Sequence, residues 1–579
     1  MLRLPLLLLL AVSACAPAPP AASPAPAAPS EMPEGEPTTE PADLVLRGGR
    51  VFLADSANTV VEAIAVRGGE VVAVGGAAEV APLIGPETGM VELAGRLVTP
   101  GFNDAHLHFA SGGQSLLAVD LLGTASLAEI ERRVAEAAGA AEPGEWILGR
   151  GWDHTRLPPG ELGPGGWPTN QVLNRAAPDN PVLLSRVDGH TSWANRVALE
   201  LAGVGNDTPD PAGGEIVRDP RSGEATGILK ESAGGLVERM VPEPTPEQTR
   251  RALRAALDLA ARVGVTSIQT SASRADVKAY RALRDMDSLT VRVYAWFPLQ
   301  MEVIQALRDE GVEAATGDDW LRLGMLKGYA DGTLGSRTAY MLEPFSDDTT
   351  TRGLPQYGDA ELDSLVVAAD AAGLQVIVHA IGDAANRQVL DAFALAERVN
   401  PAHPRRHRVE HAQILDAADI PRFRQLGVIA SMQPTHATSD MRWAEDRIGH
   451  ERAVEGAYAW ESLLNAGATV IFGTDFPVEP LAPVEGIYSA VTRQSREQPG
   501  TPPGGWLPEQ RLTREEAIRL YTAASAYGEW QEERKGTLQP GMLADLVVWG
   551  RDLLTVPEAE ILQAEPEMTV VGGRVVFRR

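Results

Sequence analysis

Residues 374–399 read LQVIVHAIGDAANRQVLDAFALAERV. Leu374 to Ala380 is a short, mostly apolar run of the kind that forms a buried strand. From Asp383 the apolar positions Ala385, Val389, Phe393 and Ala396 recur every three to four residues, the period of an amphipathic helix. A strand thus feeds directly into a helix. The same grammar recurs where the helical pattern Pro246–Val263 precedes the strand-like VTSIQT. Repeated strand-helix alternation implies parallel strands with crossover helices, as a barrel or an open doubly wound sheet. A glycine-rich dinucleotide fingerprint is not apparent, which disfavours the open sheet. The expected fold class is α/β, a (β/α)8 TIM barrel.

Working outward, the barrel is expected over 99–528, a length well beyond the about 250 residues such a domain needs. The excess falls at about 115–240, where the tryptophan-rich GEWILGRGWDHTRLPPGELGPGGWP leads into VLLSRVDGHTSWANRVAL, and reads as an inserted α/β lobe. Both flanks of the barrel, 43–98 and 529–579, alternate Val, Leu and Ile with glycine-rich turns. That is hairpin patterning, and it predicts one small β-sandwich assembled from the two chain ends.

The N-terminus reads differently. Arg3 precedes an apolar stretch ending in small residues, so 1–14 has the layout of a secretory signal, too short to span a bilayer. Val12-Ser13-Ala14-Cys15 resembles a bacterial lipobox, whose cysteine is lipidated. From Cys15, 15–42 is almost only Ala, Pro, Ser, Glu and Thr, the composition of an extended tether. The expected location is therefore outside the cytoplasm, lipid-anchored to a bacterial membrane. Ala16 after the cysteine favours the outer membrane, facing the periplasm.

Composition excludes other classes. A formal charge of -27 argues against nucleic-acid binding, which needs a surplus of Lys and Arg on one face. Cys15 is the only cysteine, so the folded body has neither disulfide nor thiolate nucleophile. No Gly-x-Ser-x-Gly elbow occurs. Any metal must be held by His, carboxylate or a modified lysine.

His106 and His108, in RLVTPGFNDAHLHF, are two residues apart after an apolar run, so in a strand both imidazoles face one side. Alone, His-x-His is a weak metal signal. Three further candidates close β-like runs: His379, His411 (HRVEH) and Asp475 (ATVIFGTD). Barrel chemistry is built at strand ends on one face, so these positions fit one shared site. Lys327, in RLGMLKGYADGTLGS, ends another apolar run. A protonated amine cannot ligate, but a neutral one in a dry pocket can add carbon dioxide and become an anionic carbamate.

Together PGFNDAHLHF, KGYADGTLGSRTA, VHAIGDAANRQVLDAF, HRVEHAQ and FGTDFPVEP resemble the metal-dependent amidohydrolase superfamily (amidohydrolase family 3). Within it, the likeness is to the YtcJ-like branch that includes N-substituted formamide deformylase. The resemblance covers roughly 43–579 and implies the following. His106, His108, carbamylated Lys327, His379, His411 and Asp475 would ligate one or two divalent ions, zinc being the first expectation. Asp475 would be general acid and base for hydrolysis of a non-peptide C–N bond in an amide, N-formyl, N-acyl or cyclic amide substrate. A lactonase or esterase on the same site, and an inactive lipid-tethered binding protein, are the alternatives.

For substrate contact, Trp152 and His154 in GWDHT and His190 in DGHTSWAN are candidates for a lid, with Asp153, Trp193 and Asn195 beside them. Arg337 in GSRTA and Gln433 in SMQPTH are candidates for gripping a carbonyl or carboxylate. Expected partners are a small-molecule substrate, the membrane through the anchor and a second copy in a homodimer, with no nucleic acid.

Overall fold

The structure is a computed structural model and describes residues 40–163, 166–186, 191–211, 214–335 and 337–579. The signal-like segment, Cys15 and the tether up to residue 39 lie outside the described residues, as does His190.

Eight parallel strands form the centre: Phe102–Leu107, Val265–Ser271, Arg292–Pro298, Leu321–Tyr329, Gln375–Ala380, Arg408–His411, Ile429–Met432 and Thr469–Phe472, each hydrogen-bonded to the next. They are referred to below as the first to eighth barrel strands. The helix Pro246–Val263 shows why the alternation forms. Thr245 and Gln248 make a capping box, Pro246 opens the first turn, and Gly264 ends the helix at φ 80°, a left-handed conformation that glycine adopts without steric cost. Its buried face carries Ala252, Leu253, Ala256, Leu257 and Ala260.

The eighth strand returns to the first through backbone and side chain together. Asp475 N donates to His106 O (2.7 Å), and Thr474 N donates to Asp104 Oδ1 (3.0 Å). Gly473 permits this approach, since a Cβ there would stand 2.5 Å from the His106 amide nitrogen.

The barrel interior is not the stack of branched aliphatics typical of the fold. Arg408, fully buried, donates to Glu410 Oε1 (2.7 Å), Ala105 O (2.6 Å) and Ser431 Oγ (3.2 Å), and also to Gln269. Gln269 continues to Ser525 O (2.9 Å), and Lys535 pairs with Glu529 (2.8 Å). Buried charges persist only when paired and fully hydrogen-bonded, as these are.

The sandwich packs a sheet of Leu44–Arg47, Ala63–Arg67, Glu70–Gly75 and Gly89–Glu92 on a sheet that mixes both chain ends. In the second sheet Leu97–Pro100 runs parallel to Arg50–Phe52 and antiparallel to Leu546–Trp549. Leu46, Val51, Ile64, Val98, Leu546 and Val570 fill the space between the sheets. Ala42, expected in the tether, is already part of this unit: it is buried, and its N–H donates to Leu83 O.

The excess length forms a six-stranded sheet running from Val119–Asp120 to Ala225–Glu231, with its own core around Ile130, Val134, Trp152 and Trp193. Among the described residues no helix is long and apolar enough to cross a membrane.

Candidate metal centre

Strand register brings the strand-end residues to one level. Tyr329 pairs with His379 across the fourth and fifth strands, and Ala380 with His411 across the fifth and sixth. His106 lies in the first strand and His108 just beyond it. Asp475 follows the eighth. His106 Nε2 and His108 Nε2 stand 3.6 and 3.4 Å from the same oxygen, Asp475 Oδ1. One ligand atom each from His106, His411 and Asp475 lie within 4.8 Å of one another.

Three imidazoles are oriented in the same manner by three different groups. Nδ1 of His106 is held by Glu410 Oε2 (2.5 Å), that of His411 by Gln433 Oε1 (2.7 Å) and that of His108 by Ser271 Oγ (3.1 Å). Anchoring Nδ1 leaves Nε2 of each ring for the centre, the arrangement by which proteins fix the tautomer of a metal-ligating histidine. His379 is turned the other way. Its Nε2 faces Gly332 O (3.0 Å) and Asp331 (3.4 Å), leaving Nδ1 as its available nitrogen, with its ring 4.6 Å from that of His411.

Electrostatics match the geometry. Burial, reinforced by the Lys327 charge, pushes the His106 imidazolium down to about 4, and burial with neighbouring His379 holds His411 well below its ordinary value. Both rings therefore keep a free lone pair at neutral pH. Burial alone would push the Asp475 carboxyl up, but His108, His106 and His411 pull it well below the usual carboxylate range. Asp475 Oδ1 is buried and accepts no hydrogen bond. Lys327 Nζ stands 3.3 Å from His106 Nε2, and burial pushes its pKa down to about 8. Buried neutral imidazoles beside an orphaned carboxylate oxygen are a donor set that fits a divalent cation.

Backbone strain collects here as well. His411 (φ 74°), Ala412 (φ 45°) and Asp475 (φ 59°) occupy the left-handed region although none is glycine. Such conformations persist where the surroundings over-determine them, as they do in ligand clamps.

Above the centre opens a cavity of about 410 Å³ whose walls include Tyr329, Leu334, Ile381, His436, Trp443 and Val478. A larger groove, about 530 Å³ between Trp146 and Thr245, contains none of the candidate metal ligands.

The expected substrate contacts that fall among the described residues are placed elsewhere. Trp152 is in the lobe core, its indole N–H on Leu184 O (3.0 Å), because so large an apolar ring is buried wherever one polar partner is in reach. His154 stacks on Trp167 at 3.9 Å and accepts from Arg186 Nε. Trp193 packs in the same core, and Asn195 caps the helix Arg196–Leu201. Arg337 forms a bidentate pair with Asp347 (3.0 and 2.8 Å) and braces a loop. Gln433 does not reach the cavity and orients His411 instead. No described residue of the lobe lines the cavity.

Sequence reading missed Glu410, Ser271 and His436. Glu410 had a signal: in HRVEH it alternates with Arg408, so both point to one face of the sixth strand.

A family model described as "Amidohydrolase family" matches residues 89–577. Among curated relatives, the protein LONG AFTER FAR-RED 3 of Arabidopsis thaliana is 34% identical over 93% of this chain and 92% of its own length. A putative amidohydrolase, YtcJ, of Bacillus subtilis is 33% identical over 85% and 91%, and an N-substituted formamide deformylase of Arthrobacter pascens 27% over 93% and 99%. A solved metal-dependent hydrolase of Pyrococcus horikoshii superposes with a TM-score of 0.73 at 30% identity, over 89% of this chain and 99% of that one.

Proposed function

Since the chain belongs to the amidohydrolase family and is built as a metal-dependent hydrolase, we propose that it hydrolyses a non-peptide C–N bond of an amide, N-formyl, N-acyl or cyclic amide substrate. The observation that carries this reading is the convergence of Nδ1-anchored His106, His108 and His411 on Asp475 beneath an open cavity. The likeness to a formamide deformylase supports the choice of bond.

His106, His108, His379, His411 and Asp475, with Lys327 as a carbamate, would hold one or two divalent ions, zinc first among them. Such an ion lowers the pKa of a water from about 15.7 toward about 7 and polarises a carbonyl. The remaining work belongs to the chain. Asp475, ionised and 3.4 Å from His108, takes the proton of the attacking water as its oxygen bonds to the carbonyl carbon. It then delivers that proton to the nitrogen as the C–N bond breaks, yielding a carboxylic acid and an amine. Lys327, its pKa pushed down to about 8 by burial, has an accessible neutral form whose nitrogen adds carbon dioxide and loses a proton.

Export and a lipid anchor on Cys15, in the outer membrane facing the periplasm, belong to the same proposal and are supported by the lipobox-like Val12–Cys15. A homodimer is proposed without a specific interface.

The test is metal analysis of the purified protein followed by an N-formyl, N-acyl and lactone panel, with and without chelator. Turnover of amides that chelation and His106→Ala abolish is expected. Turnover of lactones alone would replace the amidase with an esterase, and bound metal with no turnover would favour a binding protein. Turnover indifferent to chelation would sink the mechanism.

A further inference from the structure

His436 belongs to none of the ligand sets above, yet it stands at the centre. It is buried on the short helix Pro434–Asp440 after the seventh strand, its ring 5.9 Å from that of His411 and nearly parallel to it. Gln413 Nε2 lies 3.2 Å from His436 Nδ1. An amide nitrogen only donates, so Nδ1 accepts and the ring proton sits on Nε2. Nε2 also stands 3.7 Å from Asp475 Oδ2, an acceptor-only carboxylate that favours the same tautomer. Despite this, Nε2 makes no hydrogen bond, and His436 is one of the residues that wall the cavity. A buried N–H beside a cavity and without an acceptor is an incomplete site.

We infer that His436 is a further catalytic residue, donating its Nε2–H to the oxygen of the scissile carbonyl. This rests on the amide-hydrolysis reading. Asp475 must lie close to both the attacking water and the leaving nitrogen, so the carbonyl carbon stands above Asp475, and its oxygen falls within reach of a donor beside that carboxylate. As the water oxygen adds, the C=O electron pair moves onto this oxygen, and a hydrogen bond fixed in advance stabilises the charge. The proton remains on His436; Asp475 alone transfers one.

The experiment compares metal-loaded parent, His436→Phe and His436→Gln. Phe keeps the ring without a donor, whereas the Gln amide reaches close to the Nε2 position. Turnover is measured on the best amide of the panel, together with metal content, thermal melting and binding of a phosphinic isostere of that amide. Removing one such donor lowers kcat about 100- to 1,000-fold. That loss is expected for His436→Phe with KM and metal content little changed, with kcat at least about tenfold higher in His436→Gln. Isostere affinity should fall in parallel, and in the crystalline parent complex Nε2 should hydrogen-bond a phosphinyl oxygen. A His436→Phe kcat within about threefold of an active parent would overturn the inference alone. So would Nε2 bonded to Asp475 in the complex. A metal-loaded parent inactive on the whole panel would instead remove the underlying reading, and this inference with it. If His436→Phe fails to melt like the parent, the Gln variant and the complex decide.

Discussion

Glu410 Oε2 stands 2.5 Å from His106 Nδ1, and both side chains are fully buried. Its other oxygen accepts from Arg408 Nε at 2.7 Å. Burial opposes ionisation of this carboxyl, but Arg408 and His106 overcome it and hold its pKa well below the usual range. One carboxylate thus neutralises the buried Arg408 guanidinium and sets the tautomer of His106, a candidate metal ligand.

Glu410→Gln is therefore expected to lower metal affinity about 10- to 100-fold, the usual cost of losing such an outer partner. Competition against a chelator of known affinity measures it. Glu410→Ala should also unfold more easily, by about 3–5 kcal/mol, because Arg408 is left buried and unpaired. Equal metal affinity in parent and Glu410→Gln would show that His106 needs no anchor.

Gly473→Ala places a Cβ 2.5 Å from the His106 amide nitrogen, against backbone that cannot swing aside. Strain of this kind costs about 1–3 kcal/mol and here forces the eighth strand from the first. A lower melting temperature together with reduced metal content is expected, since Asp475 is carried on the displaced segment. A melt like the parent's would show that the closure tolerates a methyl group.

Asp370 supplies a pH-dependent term remote from the centre. It accepts from Arg405 Nε (2.8 Å), His407 Nε2 (3.0 Å) and Asn400 Nδ2 (2.8 Å). Burial would raise its carboxyl pKa, but these partners, His407 foremost, hold it well below the ordinary range. A depressed folded pKa gives stability that is present above the unfolded value of about 3.9 and lost as pH falls toward the folded one. Asp370→Asn should therefore lower stability at pH 7 by about 2 kcal/mol. The gap between variant and parent in urea melts should narrow below about pH 4; a gap independent of pH would exclude the charge as its cause.

Cys15→Ala is expected to move the protein from the membrane to the soluble fraction after cell breakage. Unchanged partition would reject lipidation and leave a cleaved or uncleaved leader in its place.

His106, His379, His411 and Asp475 are legible in sequence because each interrupts or closes an apolar run, and parallel strands bring run ends to one face. The sandwich is legible because its glycine-punctuated hairpin patterning stands at both ends of the chain. The anchors are not legible in this way. Ser271 and Glu410 reach their histidines from strands 163 and 304 residues away, Gln433 reaches His411 from the end of the next strand, and only register decides which side chains meet. Trp152 and Arg337 fail for a related reason. A tryptophan in a polar motif or an arginine beside glycines looks the same whether it faces a cavity or, as here, a lobe core or Asp347.

The strand Leu97–Pro100 lies between Arg50–Phe52 and Leu546–Trp549. On a ribosome, its second neighbour is made several hundred residues later, roughly twenty to ninety seconds at about 5–20 residues per second. Until residues 546–549 arrive, Leu97–Pro100 lacks that neighbour, and the sheet that leads into the strand carrying His106 cannot be completed.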